Sequence, residues 1–191
     1  MTYRWKYKTP EGFDDLMMSS DGETLTGLWF EGSRDEGKQD TEACERLLPV
    51  FRESIAWLDA YFAGRPPETI PAISMQNLTP FREAVLSILK EIPWGETVTY
   101  GAIAARLAKE RGIRRMSAQA VGNAVGWNPV CIMIPCHRVI GADGSLTGYG
   151  GGLENKKQLL RHEQSSSVVY SRISETGSGV HRIDTRCYPK P

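Results

Sequence analysis

The chain has 191 residues, 40% of them hydrophobic and 24% charged, and its 23 Lys+Arg balance 23 Asp+Glu. That length supports one or two small domains with real cores. It contains no run of 18 apolar residues, which excludes a membrane-spanning helix, and the basic residues near the start are followed by no apolar stretch of the kind a secretory leader needs.

The neutral total hides an asymmetry. Residues 1–75 carry a net charge of −6, residues 76–99 of −1, residues 100–163 of +5 and residues 164–191 of +2. A basic segment behind an acidic one is compatible with a nucleic-acid footprint, although a solvated basic surface gives the same count.

In chain order, Tyr3 to Thr9 alternates aromatic and basic residues, a strand pattern. Phe13–Ser19 and Leu25–Phe30 follow, set off by the turn signals Pro10-Glu11-Gly12 and Asp21-Gly22. Together they predict a small antiparallel sheet. Residues 31–42 are charged and glycine-bearing and read as a loop. Leu47, Leu48, Phe51, Ile55, Leu58 and Phe62 recur at helical spacing and predict a helix covering the sheet, ended at Gly64-Arg65-Pro66-Pro67. Residues 66–78 read as a linker between a first domain, 1–75, and a second, 76–164.

Thr79 and Pro80 form a cap and a first-turn proline, and Phe81, Val85, Ile88, Leu89 and Ile92 mark the apolar stripe of the helix they open. Thr99 predicts the start of another helix running to about Ala108. Lys109–Arg115 is a basic connection containing Gly112, and Ser117 caps a further helix from Ala118 to about Val125. Two short helices across a glycine-bearing turn suggest a helix-turn-helix, though any packed helix pair has this form. Ala118, Ala120, Gly122 and Ala124 would let another backbone approach closely. They would equally permit tight core packing. Gly122 in mid-helix costs about 1 kcal/mol relative to alanine, so it needs a packing or binding reason. The predicted class is α+β. The end of the chain, 165–191, holds Ser165-Ser166-Ser167 and Gly177-Ser178-Gly179 with little periodic apolar content and reads as a disordered tail.

The chemistry concentrates in Ile134-Pro135-Cys136-His137-Arg138-Val139, behind the apolar run Val130–Ile134. A thiolate is the nucleophilic form of cysteine, and a neighbouring imidazole favours it. Neighbouring side chains diverge in a helix or strand, so a turn or a bridging water has to link Cys136 to His137. Cys44, Cys131, Cys136 and Cys187 show no C-x-x-C spacing, which fits a reducing, intracellular compartment and predicts neither a metal site nor a disulfide framework. No cofactor is expected.

The segment Asn128-Pro129, five residues, Pro135-Cys136-His137-Arg138-Val139, followed by Gly148-Tyr149-Gly150-Gly151-Gly152-Leu153, resembles the O6-alkylguanine-DNA alkyltransferase family. So do Pro93–Gly101, Ser117–Gly122 and Leu159–Glu163, and the resemblance covers about residues 79–163. It implies a ribonuclease H-like first domain and a mostly helical second one. It also implies suicidal, single-turnover transfer of the alkyl group from an O6-alkylguanine flipped out of double-stranded DNA to Cys136. In that reading His137 takes the thiol proton through a water, Glu163 orients His137, and Asn128 holds the turn. Tyr100 and Tyr149 contact the nucleotide, the Val139 carbonyl reads guanine, and Gly150 and Gly151 leave room for the alkyl group. Ser117, Ala118, Gln119 and Gly122 of the second helix meet the minor groove, with Arg114 and Arg115 near phosphates. Arg138 reads as structural, pairing with a helix end or a carboxylate, and His162 as a surface histidine. Many members carry an arginine where this chain has Gln119. The structural zinc of some members is not expected, because the first domain has only Cys44 and no histidine. The expected protein is a monomer inside a bacterial-type cell, nucleoid-associated in use. Two other readings remain at this stage. One is a cysteine hydrolase using Cys136, His137 and Glu163. The other is a helix-turn-helix regulator with Cys136 as its sensor.

Overall fold

The computed structural model describes residues 1–36, 43–65, 67 and 69–170. Strands β1 (Tyr3–Tyr7), β2 (Leu16–Ser20) and β3 (Leu25–Phe30) form antiparallel neighbours, as the alternation of the first and the turn signals between them predict, with β2 starting three residues later than expected. A short strand β4 (Cys44–Glu45) adds to the free edge of β1 in parallel, giving the order β3-β2-β1-β4. The sheet is therefore mixed, not purely antiparallel. Two residues of pairing leave no periodic signal, and only the return of the chain from the 31–36 loop creates that edge contact.

Helix α1 (Pro49–Phe62) lies where the apolar spacing predicts it, with Phe51, Leu58 and Tyr61 buried. Helix α2 (Pro80–Lys90) starts at Thr79, whose hydroxyl accepts from Arg82 N at 3.3 Å. A short strand β5 (Val98–Thr99) leads into α3 (Tyr100–Glu110), capped by Thr99 through Ala102 N at 3.1 Å. Ser117 caps α4 (Ala118–Val125) through Ala120 N at 3.3 Å. In each case the cap hydroxyl satisfies a backbone donor that the helix itself cannot. Strand β6 (Val139–Ile140) pairs in parallel with β5, and α5 (Leu153–Tyr170) closes the described chain. Helix α5 runs through the first six residues of the segment read as a tail; residues 171–191 lie outside the described residues, as do 37–42 of the predicted loop.

The sheet and the helical part share one apolar core, from Leu16, Phe30 and Tyr61 to Ile103, Val121, Ile134 and Leu159. The seam is also hydrogen-bonded. Leu28 N donates to Pro129 O and Cys131 N donates to Leu28 O, each at 2.9 Å, so β3 extends its sheet by one bridge to Val130. The N-terminal sheet thus holds the segment that carries Cys136. None of the described helices is long and apolar enough to cross a membrane.

Candidate active site

Cys136 opens a 3-10 turn, Cys136–Arg138, at the end of two very tight bends. Met133 N donates to Cys131 O at 2.7 Å, around Ile132, and Cys136 N donates to Ile134 O at 2.7 Å, around Pro135. Pro135, at φ −79° and ψ 62°, sits in the common inverse γ-turn, which its ring favours. Ile132 has φ 65°, an unfavourable conformation for a β-branched residue. Such strain persists only where the surroundings over-determine it. Here the bridge to Leu28 fixes one side of the bend and Asn128 fixes the other.

Asn128 is buried and uses both ends of its amide. Its Oδ1 accepts from Val130 N at 3.1 Å, and its Nδ2 donates to Ile134 O at 2.9 Å and to Cys136 Sγ at 3.1 Å. One side chain therefore shapes the turn and touches the sulfur. Burial pushes the Cys136 thiol up to about 11, opposed by the Asn128 bond and by the Lys156 charge. At neutral pH this favours the protonated thiol, so any use of the sulfur as a nucleophile would need a base. Cys131 is more deeply insulated, and burial holds its thiol well above the usual range.

His137 is completely buried, with Nε2 2.8 Å from Glu163 Oε1. Glu163 lies on α5 and is fully buried, and its carboxylate gathers five donors. Besides His137 these are Tyr61 Oη (2.9 Å), Arg138 Nε (2.9 Å), Arg138 Nη2 (2.9 Å) and Gly95 N (3.2 Å). Gly95 has φ 75°, a conformation glycine adopts freely, and this turns its N–H toward the carboxylate. Burial alone would raise the Glu163 carboxyl. Its interactions with His137 and Arg138, the latter carrying a full positive charge, outweigh it and hold the group well below the usual carboxylate range. Burial in turn pushes His137 below its ordinary value, against the pull of Glu163. The assignment that satisfies both is an ionised Glu163 and a neutral His137 whose Nε2–H donates to it. His137 Nδ1 then carries the lone pair. It is buried, and no described residue bonds to it. Among the described residues, Cys136 and His137 are not hydrogen-bonded to each other.

The structure adds partners that the sequence reading missed. Tyr61 reaches Glu163 from α1, across 102 residues. Arg138 also donates to Ile92 O at 2.6 Å beyond the end of α2, so it pairs with both a carboxylate and a helix end. Lys156 is fully buried and donates to Val139 O at 2.7 Å and Thr147 O at 3.0 Å; burial lowers its ammonium to about 8. Its role was legible in part. Lys156, Leu159, Leu160 and Glu163 repeat at helical spacing and form one buried face. His162 departs from the surface position expected of it. It is half-buried among Phe13, Tyr61, Phe62 and Trp94, with Nε2 2.9 Å from Tyr61 O.

Val139, whose carbonyl Lys156 holds, follows the turn directly and is buried. Tyr149 is buried close to the Cys131 and Cys136 thiols. Tyr100 donates to Thr147 O at 3.1 Å. A Cβ added at Gly151 would stand 2.7 Å from both Phe30 and Tyr149, and one added at Gly150 would collide with the Asp35 carboxylate. Both glycines are therefore in contact with the N-terminal segment.

A groove of about 710 Å³ runs beside this site, lined among others by Arg34, Tyr100, Ala118, Gln119, Gly122 and Asn123. Ser117, Ala118 and Gln119 are exposed, as are Arg114 and Arg115 in the preceding connection. Gln119 Nε2 lies 3.4 Å from Asn123 Oδ1. A Cβ at Gly122 would meet only Tyr100, at 3.8 Å, so internal packing does not demand a glycine there. Ala124, counted with the small residues of an approachable face, is instead buried in the core.

The family described as 6-O-methylguanine DNA methyltransferase, DNA binding domain, matches residues 80–165. A methylated-DNA–protein-cysteine methyltransferase of Haemophilus influenzae is 39% identical over 163 residues, covering 85% of this chain and 86% of its own. One from Methanosarcina acetivorans is 46% identical over 162 residues, covering 83% and 96%. Among solved structures, the Mycobacterium tuberculosis O6-methylguanine methyltransferase superposes with a TM-score of 0.72 at 36% identity, covering 87% of this chain and 94% of that one. Mycobacterium tuberculosis OGT in complex with DNA gives a TM-score of 0.71 at 36% identity, with coverages of 86% and 94%.

Proposed function

The chain belongs to the methylated-DNA–protein-cysteine methyltransferase family, and from that premise we propose that it repairs DNA by drawing the alkyl group of O6-alkylguanine onto its own Cys136. The observation that carries the assignment is the Asn128–Cys136 contact at 3.1 Å, one residue from a buried His137–Glu163 pair.

The chemistry follows from the protonation states. The thiol proton passes to the Nδ1 lone pair of His137 through a water, while Glu163 stabilises the imidazolium that forms. The thiolate attacks the alkyl carbon in line, an S–C bond forms, and the C–O6 bond breaks with its electron pair leaving on guanine, which takes up one proton as the imidazolium gives one back through the water. Asn128 donates to the sulfur as charge develops there, which favours the ionised form. Arg138 and Tyr61 keep the Glu163 carboxylate fixed, so it has no freedom to follow the proton. The product is a thioether that no group in the site can cleave, so one protein molecule acts once.

The substrate base is reached by flipping it from the duplex. Helices α3 and α4 act as a helix-turn-helix, with Ser117, Ala118, Gln119 and Gly122 against the minor groove and Arg114 and Arg115 near phosphates. Val139 O, with one lone pair on Lys156, has a second for the guanine amine. Tyr100 and Tyr149 contact the nucleotide, and Gly150 and Gly151 border the alkyl group. In this reading the N-terminal unit, about 1–75, is ribonuclease H-like around the sheet β3-β2-β1-β4, and residues 76–164 form the DNA-binding and transfer domain. The protein works as a monomer, within the cell, on chromosomal DNA.

Incubation with a duplex containing one O6-methylguanine, followed by mass spectrometry, tests this reading. The expected result is a single +CH2 adduct on Cys136 at one-to-one stoichiometry. Cys136→Ala should bind the duplex and gain no adduct. An adduct on Cys131 in that variant, or release of methyl product with turnover, refutes the assignment.

A further inference from the structure

Asp35 lies in the turn that follows β3, far in sequence from Cys136. Its side chain is only 14% exposed although it sits in a surface loop. It is spent against the site. The carboxylate packs on Gly150 so closely that any Cβ there would collide with it. Phe30, the last residue of β3, packs on Gly151. The Asp35 charge is felt at the Cys136, Cys131 and Tyr149 side chains, each of which it pushes upward. Its neighbour Arg34 keeps its guanidinium within 3.7 Å of Asp35 Oδ1 and also lines the groove beside α4.

We propose that Asp35 is a specificity-determining residue whose carboxylate forms the outer wall of the alkyl pocket over Gly150 and restricts Cys136 to small, uncharged alkyl groups. This rests on Cys136 being the alkyl acceptor. Two physical effects act together. A bulky apolar group entering over Gly150 must displace the carboxylate or strip its remaining solvation, and a largely covered charge resists both. An anionic group, such as carboxymethyl, meets like charge at short range in a poorly screened site. A methyl group does neither. The N-terminal sheet therefore contributes to substrate choice as well as holding the site in place, because β3 delivers Phe30 and Asp35 to the two glycines.

Single-turnover rates of adduct formation on Cys136 test this, using duplexes that carry O6-methyl-, O6-benzyl- or O6-carboxymethylguanine. Asp35→Ala removes both bulk and charge, and Asp35→Asn removes charge while keeping shape. The benzyl-to-methyl rate ratio should rise about tenfold or more in Asp35→Ala, the discrimination a pocket wall provides. The carboxymethyl-to-methyl ratio should rise about tenfold in both variants, as relief of like-charge repulsion implies. Ratios within about twofold of the parent protein in both variants would overturn the role of Asp35 and leave Cys136 as acceptor. Failure of the parent protein to take methyl on Cys136 would overturn both.

Discussion

Glu163→Gln would leave the Arg138 guanidinium buried beside a neutral amide. The parent carboxylate accepts two hydrogen bonds from Arg138, one from His137, one from Tyr61 and one from Gly95. The glutamine oxygen can keep about two of these, while its NH2 meets donors. Breaking a buried pair by neutralising one partner costs about 3–5 kcal/mol, mostly because the remaining charge is stranded. At about 2–4 °C per kcal/mol for a chain of this size, Tm should fall by about 6–20 °C. The stranded charge is separable from the lost bonds by a double-mutant cycle. Arg138→Met alone also orphans Ile92 O, and the pair Glu163→Gln/Arg138→Met removes both charges. The two changes should therefore couple, with the double variant more stable than additivity predicts by about 1–3 kcal/mol. Thermal and denaturant melts of the four proteins supply the cycle, and Cys136 adduct rates on the same samples supply the catalytic side. Additivity within about 0.5 kcal/mol would mean that Arg138 and Glu163 do not depend on each other, and the account of the network would be wrong.

Two further outcomes follow from the same geometry. Because burial raises the Cys136 thiol to about 11 from an ordinary 9.0, its thiolate fraction at neutral pH is small and grows with pH. The rate of Cys136 carboxamidomethylation by iodoacetamide without DNA, read by mass spectrometry, should keep rising between about pH 8 and pH 10, and a plateau below about pH 9 would contradict the burial argument. Gln119→Arg places a cation on the exposed face of α4, so DNA binding should tighten and the salt slope of log K should steepen by about 0.9, as for one more neutralised phosphate. An unchanged slope would place this position away from the DNA backbone.

The readings that held were those made by short-range rules. Thr79, Thr99 and Ser117 each cap a helix because a hydroxyl there reaches a backbone donor three residues on. Pro135 before Cys136 sets a tight bend through the fixed torsion of its own ring. The apolar spacing of α1 and α2 shows which face turns inward. The pairing of Arg138 with a carboxylate was also legible in kind, since a buried guanidinium needs one.

Contacts between distant parts of the chain had no such signal. The β4 edge is two residues long, too short for a period to form. His162 looks like a polar residue on a helix surface, and only the arrival of α1 and Phe13 turns its side into an aromatic cluster. Tyr61 on Glu163 and Asp35 on Gly150 join segments more than 100 residues apart, and each is fixed by how β3 and α1 pack on the helical half. The sequence by itself determined the proline bend before Cys136, the caps and the amphipathic faces, since each depends on a few adjacent residues. Tertiary structure alone decided the protonation of Cys136 and what packs around it. A pKa is set by burial and by charges within a few ångströms in space, and neither quantity is written in the spacing along the chain.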